Sequence, residues 1–382
     1  MPAFASPTPD ATPVWLVSSG DWEGVKASIG AAPAAFAERC GFKPKAGQIL
    51  FLPGEGGTLA GVLFAGEGRT PSVRDPFAAG KLATLLPDGV YRIANPPHDA
   101  DLVALGFLLG LYVYDRFRAD LTPKPRLVAP DGVDGERIER IAAAVAFGRD
   151  LVNAPANVLG PQALEQEAVK LAERFGASVS IVRGEERRDA NFPLVHAVGS
   201  AAAEEPRIVD FSWGREDAPK VALIGKGVTF DTGGLDIKPA SGMELMKKDM
   251  GGAATALALA QLIMQEGLDL RLRVVIPIVE NAISAPAMRP GDVLISRKRL
   301  SVEVGHTDAE GRLILADALA LADEDAPELM LDFATLTGAA RVALGPDLPP
   351  FYTRRRGACR VALRTCGPRP RPGMADAPLA PL

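Results

Sequence analysis

Four charged residues lie in a stretch that otherwise has the pattern of a buried strand, a glycine-rich loop and a helix. They fall within residues 221–254 and are Lys226, Asp231, Lys238 and Asp249. Charged side chains are costly to bury without partners. The spacing of Asp249 from the apolar Met246 and Ala253 places it on the inner face of a helix predicted over 243–265. Because a buried carboxylate normally needs a cation, we interpret this stretch as half of a metal site.

A second acidic group follows about sixty residues after Asp249. Asp308 and Glu310 are two positions apart, which does not place them on one helical face. They fit a turn at a helix N-terminus, where the helix dipole favours negative charge. Several carboxylates without a Cys/His cluster suit two divalent ions bridged by oxygen ligands. Each residue alone also has a simpler interpretation: Asp308 as an N-cap, Glu310 as a first-turn acid and Asp231 as a turn residue.

Three basic residues accompany these acids. Lys226, between two glycines, could lose its proton and bind a metal, or stay charged and bind an anion. Lys238 could polarise a carbonyl group beside the metals. Arg312 could hold an anion or a developing negative charge. The simpler alternative for these residues is a set of salt bridges to the neighbouring acids.

Alternating strands and helices predict an α/β fold with two domains. We predict an N-terminal α/β domain over 1–130, because a proline-rich segment at 121–133 marks a boundary. A second α/β domain over 131–353 is expected to have a central mixed, mostly parallel sheet covered by helices. Residues 354–382 contain seven arginines and one acidic residue without apolar periodicity, which predicts a disordered basic tail.

The bulk composition excludes several classes of protein. Of 382 residues 47% are hydrophobic, and the net charge of −5 argues against nucleic acid or an anionic membrane as the main partner. Three cysteines without regular spacing favour a reducing compartment. The N-terminus has no signal-peptide pattern, and no apolar run is long enough to span a bilayer. We therefore expect a cytoplasmic protein.

Taken together, the motifs resemble the catalytic domain of the leucine (cytosol) aminopeptidases. GKGVTFDTGG, MKKDMGGAA, TDAEGRL and ATLTGA match in residue type and spacing, as does RDLVNAPANVLGP at 149–161. The resemblance covers roughly residues 149–348 and implies a dinuclear exopeptidase that uses zinc or manganese. It implies five metal ligands: Lys226, Asp231, Asp249, Asp308 and Glu310. Of these, Lys226 and Asp231 would belong mainly to the exchangeable metal, and Glu310 would bridge both.

The same resemblance implies the remaining roles. A metal-bridging water would attack the first peptide carbonyl, Lys238 would stabilise the oxyanion, and Arg312 would hold a bicarbonate acting as proton acceptor. One metal would bind the free amine of the peptide. Met246, Thr335 and Gly338 match positions lining the pocket for the first side chain, which would prefer leucine-like residues, and the Leu336 backbone matches one that binds substrate. Family members are typically hexamers, so a homo-oligomer is expected.

Two features depart from the family pattern. His306 stands where Asn usually precedes Thr-Asp, and we expect it to hydrogen-bond behind the metal ligands rather than to bind metal. After Thr353 the sequence no longer matches the helices and strands that complete the pocket in the family. We hypothesise a frameshift there, with a genuine basic tail as the alternative.

Two other functions are compatible with parts of the sequence. Phe-Asp-Thr-Gly at 230–233 resembles an aspartic-protease motif, but no second Asp-Thr-Gly or Asp-Ser-Gly occurs. The other alternative is a catalytically impaired family member with a structural or DNA-associated role, in which the altered C-terminal segment prevents folding, assembly or substrate binding.

Overall fold

The computed structural model describes residues 3–66, 75, 77–95, 97, 99–118, 124–184, 190–346 and 349–353. The basic segment predicted over 354–382 lies outside these residues. Residues up to Leu336 belong to one compact unit, and the described residues after it belong to a second unit. No helix of the described part is long and apolar enough to cross a membrane.

The N-terminal part is built on a five-stranded sheet. Its strands are β1 (Thr12–Leu16), β2 (Gln48–Pro53), β3 (Leu59–Ala65), β4 (Val90–Ile93) and β5 (Arg126–Leu127), in the order β2-β3-β1-β4-β5. Only the β2–β3 pair, a hairpin joined by a Gly-rich turn, is antiparallel. The accompanying helices are α1 (Trp22–Ile29), α2 (Ala31–Arg39), α3 (Leu82–Leu85) and α4 (Ala100–Gly110). Short 3-10 turns occupy Glu55–Gly57 and Ala78–Lys81.

The second part contains a six-stranded mixed sheet. Its strands are β6 (Ser178–Arg183), β7 (Arg207–Trp213), β8 (Lys220–Gly225), β9 (Gly227–Asp231), β10 (Arg271–Asn281) and β13 (Leu329–Phe333). The order is β13-β8-β10-β7-β6, with β9 also paired to β10. The β13–β8, β8–β10 and β9–β10 pairs are parallel, whereas the β10–β7 and β7–β6 pairs are antiparallel. A separate antiparallel pair consists of β11 (Val293–Ile295) and β12 (Ser301–Glu303).

Helices cover both faces of this sheet because its strands are apolar on both sides. The helices are α5 (Gly135–Asn153), α6 (Pro161–Arg174), α7 (Pro193–Gly199), α8 (Ala240–Met243), α9 (Gly251–Gln265) and α10 (Glu310–Asp323). On strand β8, Leu223 points to the core formed with α5, α6 and α9, while Ile224 points to the core formed with α7 and α10. The predicted α/β fold with a mixed, mostly parallel sheet is confirmed.

Helix α5 connects the two parts of the first unit. Ile138 and Ala142 near its N-terminus belong to the N-terminal core, while Leu151 near its C-terminus packs in the core of the six-stranded sheet. In the second unit, the described residues form one helix, α11 (Ala339–Leu344).

Candidate metal centre

The turn between β8 and β9 fixes the backbone of Lys226. Its amide N–H donates to the Phe333 carbonyl at 2.9 Å, and its carbonyl accepts from the Ala253 N–H at 2.8 Å. Strand β13 and the first turn of α9 therefore hold this residue from two sides. The close approach requires Gly252, because a Cβ there would lie 2.1 Å from the Phe333 carbonyl oxygen.

The Lys226 side chain is 3% exposed and lies between two acids. Its Nζ is 2.8 Å from Asp249 Oδ2 and 2.9 Å from Glu310 Oε1, and it donates to the Thr335 carbonyl at 3.0 Å. Burial lowers the pKa of Lys226, but the two carboxylates outweigh burial and the net pKa is raised. The metal-free amine is therefore charged. Its stem packs so closely on Gly311 that a Cβ there would lie 2.5 Å from Lys226 Cε.

Asp249 does not lie within a continuous helix, so the helix predicted over 243–265 is wrong in its first part. Residues Met246–Met250 form a 3-10 turn, and α9 begins only at Gly251. Two adjacent glycines weaken the helix at this point, and the tighter turn directs Asp249 to Lys226. The Thr335 hydroxyl lies 2.8 Å from both the carbonyl oxygen and Oδ1 of Asp249. Burial raises the pKa of Asp249, and the nearby Lys226 offsets part of this effect.

Asp231 ends strand β9 and uses its two carboxylate oxygens differently. Oδ1 accepts hydrogen bonds from the Gly233 N–H at 2.9 Å and from Asn281 Nδ2 at 2.8 Å. Oδ2 lies 2.8 Å from Lys238 Nζ, which also forms a short ion pair with Asp308 Oδ1. Burial lowers the pKa of Lys238, but its hydrogen bonds to both aspartates raise the net pKa well above the usual value.

Glu310 is the most buried acid of the cluster, at 1% exposure. It begins α10 directly after the 3-10 turn Thr307–Ala309, as predicted for a turn at a helix N-terminus. Burial raises the pKa of Glu310 to about 7, with Lys226 opposing and Asp231 and Asp249 adding to the rise. Its Oε2 is buried and has no hydrogen-bond partner among the described residues.

A divalent cation fits this arrangement. Asp231, Asp308 and Glu310 can each offer an oxygen atom within 4.8 Å of the others. The two lysine ammonium groups each bridge a pair of carboxylates, as a bound cation would. Four acids against two lysines leave an excess of negative charge, and an all-carboxylate oxygen set suits hard divalent ions. The unpartnered Glu310 Oε2 is a further oxygen that a cation would satisfy.

The sequence interpretation missed three residues that connect the loops of the cluster. Asn281 at the end of β10 is 2% exposed, and Thr307 is fully buried. Asp236 Oδ2 accepts from the Thr307 N–H at 2.7 Å. The signal for Asn281 was its position: a polar residue at the carboxyl end of a strand in a mostly parallel sheet faces the edge where ligands bind.

His306 and Arg312 lie at the margin of the cluster. The His306 side chain is 61% exposed. Its Nδ1 accepts from the Asp308 N–H at 3.1 Å and lies 3.3 Å from Asp236 Oδ2. The supporting role of His306 stays a prediction. Arg312 is exposed in the first turn of α10 and forms no ion pair within the described ranges.

The predicted pocket residues are more open than the acids. Met246 is half-buried at the start of the 3-10 turn that carries Asp249. Thr335 follows β13 and contacts Asp249, whereas the Leu336 side chain is 44% exposed. Gly338 belongs to the second unit, where it precedes α11. These residues stay predictions as pocket residues.

Two family models match the chain. The model of the cytosol aminopeptidase family, catalytic domain, matches residues 146–368. The model of the M17 aminopeptidase N-terminal domain matches residues 13–130.

Curated relatives and solved structures agree with these matches. A probable cytosol aminopeptidase of Synechococcus sp. is 37% identical over 317 residues, covering 78% of this chain and 65% of that protein. One from Rhodococcus erythropolis is 41% identical, covering 71% of this chain and 57% of that protein. The chain thus spans between half and two-thirds of the length of these relatives.

Among solved structures, the cytosol aminopeptidase of Coxiella burnetii is 39% identical with a TM-score of 0.83, covering 89% of this chain and 74% of that one. The bottromycin maturation enzyme BotP, determined in complex with Mn, is 34% identical with a TM-score of 0.75, covering 88% of this chain and 75% of that one.

Proposed function

Because the chain belongs to the cytosol aminopeptidase family, we propose that it is a metal-dependent aminopeptidase that releases N-terminal amino acids, leucine-like ones preferentially, from peptides. The observation that carries the proposal is the buried group of acids around two lysines, in which Glu310 Oε2 has no partner among the described residues. A structural or DNA-associated role for an impaired chain has no comparable support.

The proposed metal ligands are Lys226, Asp231, Asp249, Asp308 and Glu310. They would hold two divalent ions, Mn²⁺ or Zn²⁺, which when bound polarise a carbonyl group and lower the pKa of water. Lys226 must lose its proton before it can bind a metal. Because its pKa is raised by Asp249 and Glu310, metal binding has to displace this proton and is favoured at higher pH.

Lys238 and Arg312 are the proposed catalytic residues. The pKa of Lys238 is raised, so this residue is positively charged at neutral pH and suits the stabilisation of an oxyanion. Arg312 has an exposed guanidinium in the same first helical turn as Glu310, which leaves it free to bind bicarbonate as the proton acceptor. One of the two ions would bind the free amine of the peptide in its neutral form, which would restrict cleavage to the N-terminal residue.

The substrate pocket is proposed to include Met246, Thr335 and Leu336, and Gly338 stays a prediction from the family resemblance. Thr335 would connect this pocket to the metal centre, because its hydroxyl contacts Asp249 and its carbonyl contacts Lys226. We further propose a cytoplasmic homohexamer, following the family resemblance.

The test is hydrolysis of leucine p-nitroanilide by the purified protein loaded with Mn²⁺ or Zn²⁺. Activity is expected to disappear with a chelator, to return with metal, and to be absent on N-acetyl-leucine p-nitroanilide, which has no free amine. Asp249→Asn should strongly lower activity, whereas Asp269→Asn, which changes an exposed partner of Arg215, should not. A folded, metal-loaded protein that cleaves neither substrate would favour the impaired alternative.

A further inference from the structure

Asn281 lies where the two halves of the proposed metal centre meet. Its side-chain amide donates to Asp231 Oδ1 at 2.8 Å and to the Thr307 carbonyl at 3.2 Å. Both partners are acceptors only, so the NH₂ group of the amide must face them. One side chain thus joins the loop that carries Asp231 to the turn that carries Asp308.

The Asn281 backbone strengthens the same connection. Its carbonyl accepts from the Thr232 N–H at 3.1 Å and from the Thr232 hydroxyl at 2.8 Å. Asn281 also pairs directly with Asp231 in the β9–β10 register. The first loop of the centre is therefore fixed to the end of β10 through both backbone and side chain.

Thr307 forms a second connection between the same loops. Its hydroxyl donates to the Gly233 carbonyl at 2.6 Å and accepts from the Asp236 N–H at 2.8 Å. Neither Thr307 nor Asn281 is exposed enough for water to replace these bonds.

We propose that Asn281, together with the Thr307 hydroxyl, positions Asp231 and Asp308 and thereby sets the affinity of the centre for divalent ions. This inference rests on the proposed function only in that the centre binds metal. Asp231 Oδ1 accepts hydrogen bonds from Asn281 and Gly233, whereas Oδ2 faces Lys238. Oδ2 is therefore the oxygen of Asp231 that is available to a cation. Groups that orient metal ligands typically change metal affinity by about 10- to 100-fold when removed.

The test is a calorimetric titration of Mn²⁺ into the metal-free full chain, with no peptide present. Asn281→Asp keeps the shape but replaces the donor with a carboxylate that repels Asp231, so Mn²⁺ affinity should fall by about 10- to 100-fold. Asn281→Ala should have an effect in the same range. Asn191→Asp is the matched control, because it removes an amide bond to the Arg297 carbonyl elsewhere in this domain, and its affinity should stay within about twofold of the wild type.

A second pair keeps the test decisive if changes at Asn281 prevent folding. Thr307→Val removes the hydroxyl and should lower Mn²⁺ affinity, whereas Thr307→Ser keeps the hydroxyl and should restore it. Unchanged Mn²⁺ affinity in the Asn281 and Thr307→Val variants would overturn the proposal. It would also be overturned if Thr307→Ser and Asn191→Asp lost as much Mn²⁺ affinity as those variants do. A wild type that binds no divalent ion would also overturn it. A wild type that binds Mn²⁺ but cleaves no peptide refutes the proposed function and leaves this inference standing.

Discussion

The metal side and the substrate side of the proposed centre are built in different ways. On the metal side, Lys226 and Glu310 are almost fully buried, and the Lys226 ammonium group forms ion pairs with both Asp249 and Glu310. On the side proposed to bind substrate, Leu336 is exposed, and the neighbouring strand β13 also exposes apolar side chains. Leu331 is 38% exposed, although its partner in the adjacent strand, Leu223, is fully buried.

The proposed metal site and the proposed substrate pocket therefore depend on largely different parts of the chain. Most of the polar groups that hold the proposed ligands lie within β8–β10, the turn before α9 and the start of α10, and Thr335 contacts residues of the metal site as well. The side facing Thr335 and Leu336 is open among the described residues.

Removal of Glu310 should have the largest effect, because this acid contacts Lys226 and lies within reach of Asp231 and Asp308. Glu310→Gln is expected to lower leucine p-nitroanilide hydrolysis by roughly a thousandfold. Circular dichroism should show a folded protein, and Asp269→Asn should retain full activity. Near-normal activity in Glu310→Gln would place the metals elsewhere.

Two adjacent glycines test the contact between α9 and β13. Gly252→Ala would place its Cβ 2.1 Å from the Phe333 carbonyl oxygen and should lower the free energy of unfolding by about 3 kcal/mol or more. In Gly251→Ala the added Cβ would meet the Thr335 methyl group at 3.1 Å and a Val152 methyl group at 4.0 Å. Because Ala also suits a helix better than Gly, the change in the free energy of unfolding should stay within about 1 kcal/mol. Urea unfolding of both variants measures the difference, and equal losses would argue against the close packing.

The rise in Tm caused by Mn²⁺ should depend on pH if the buried acid Glu310 is a metal ligand. The pKa of Glu310 is raised to about 7 in the metal-free protein. Its protonated form therefore adds stability that is complete below about pH 4.5 and is lost as the pH rises through about 7. Because a metal replaces this proton, the rise in Tm caused by Mn²⁺ should be larger at pH 8 than at pH 5.5. An equal rise in Tm at both pH values would contradict the proposal that Glu310 is a metal ligand.

The smallest effect is expected on the open side. Leu331→Ala should cost less than about 1 kcal/mol, because this side chain is partly exposed, whereas Leu223→Ala should cost about 2–5 kcal/mol. Thermal or urea unfolding compares the two variants. A similar cost for both would indicate that the outer side of β13 is covered in solution.

Much of the fold was predictable because strands and helices alternate with clear apolar patterns. The turn carrying Asp308 and Glu310 was also predictable, since an acidic pair before an apolar helix is typical of a helix start. The break before α9 was not, because the apolar spacing of 243–265 continues across it. What shapes that break is a set of long-range contacts of Asp249 with Lys226 and Thr335.

Asn281 and Thr307 were missed for a related reason. The position of a single Asn at a strand end is only a weak signal, and the importance of Asn281 arises from partners fifty and twenty-six residues away in the sequence. Charges among glycines are visible in a sequence, whereas the neutral groups that orient them become visible only in the fold.

The most direct measurement is the number of metal ions bound per chain, determined by elemental analysis after loading with Mn²⁺ and gel filtration. About two ions are expected for the wild type, and fewer for Glu310→Gln, because Glu310 is the acid proposed to bridge both. One ion or none in the wild type, or an unchanged count in Glu310→Gln, would contradict a two-metal centre held by these residues.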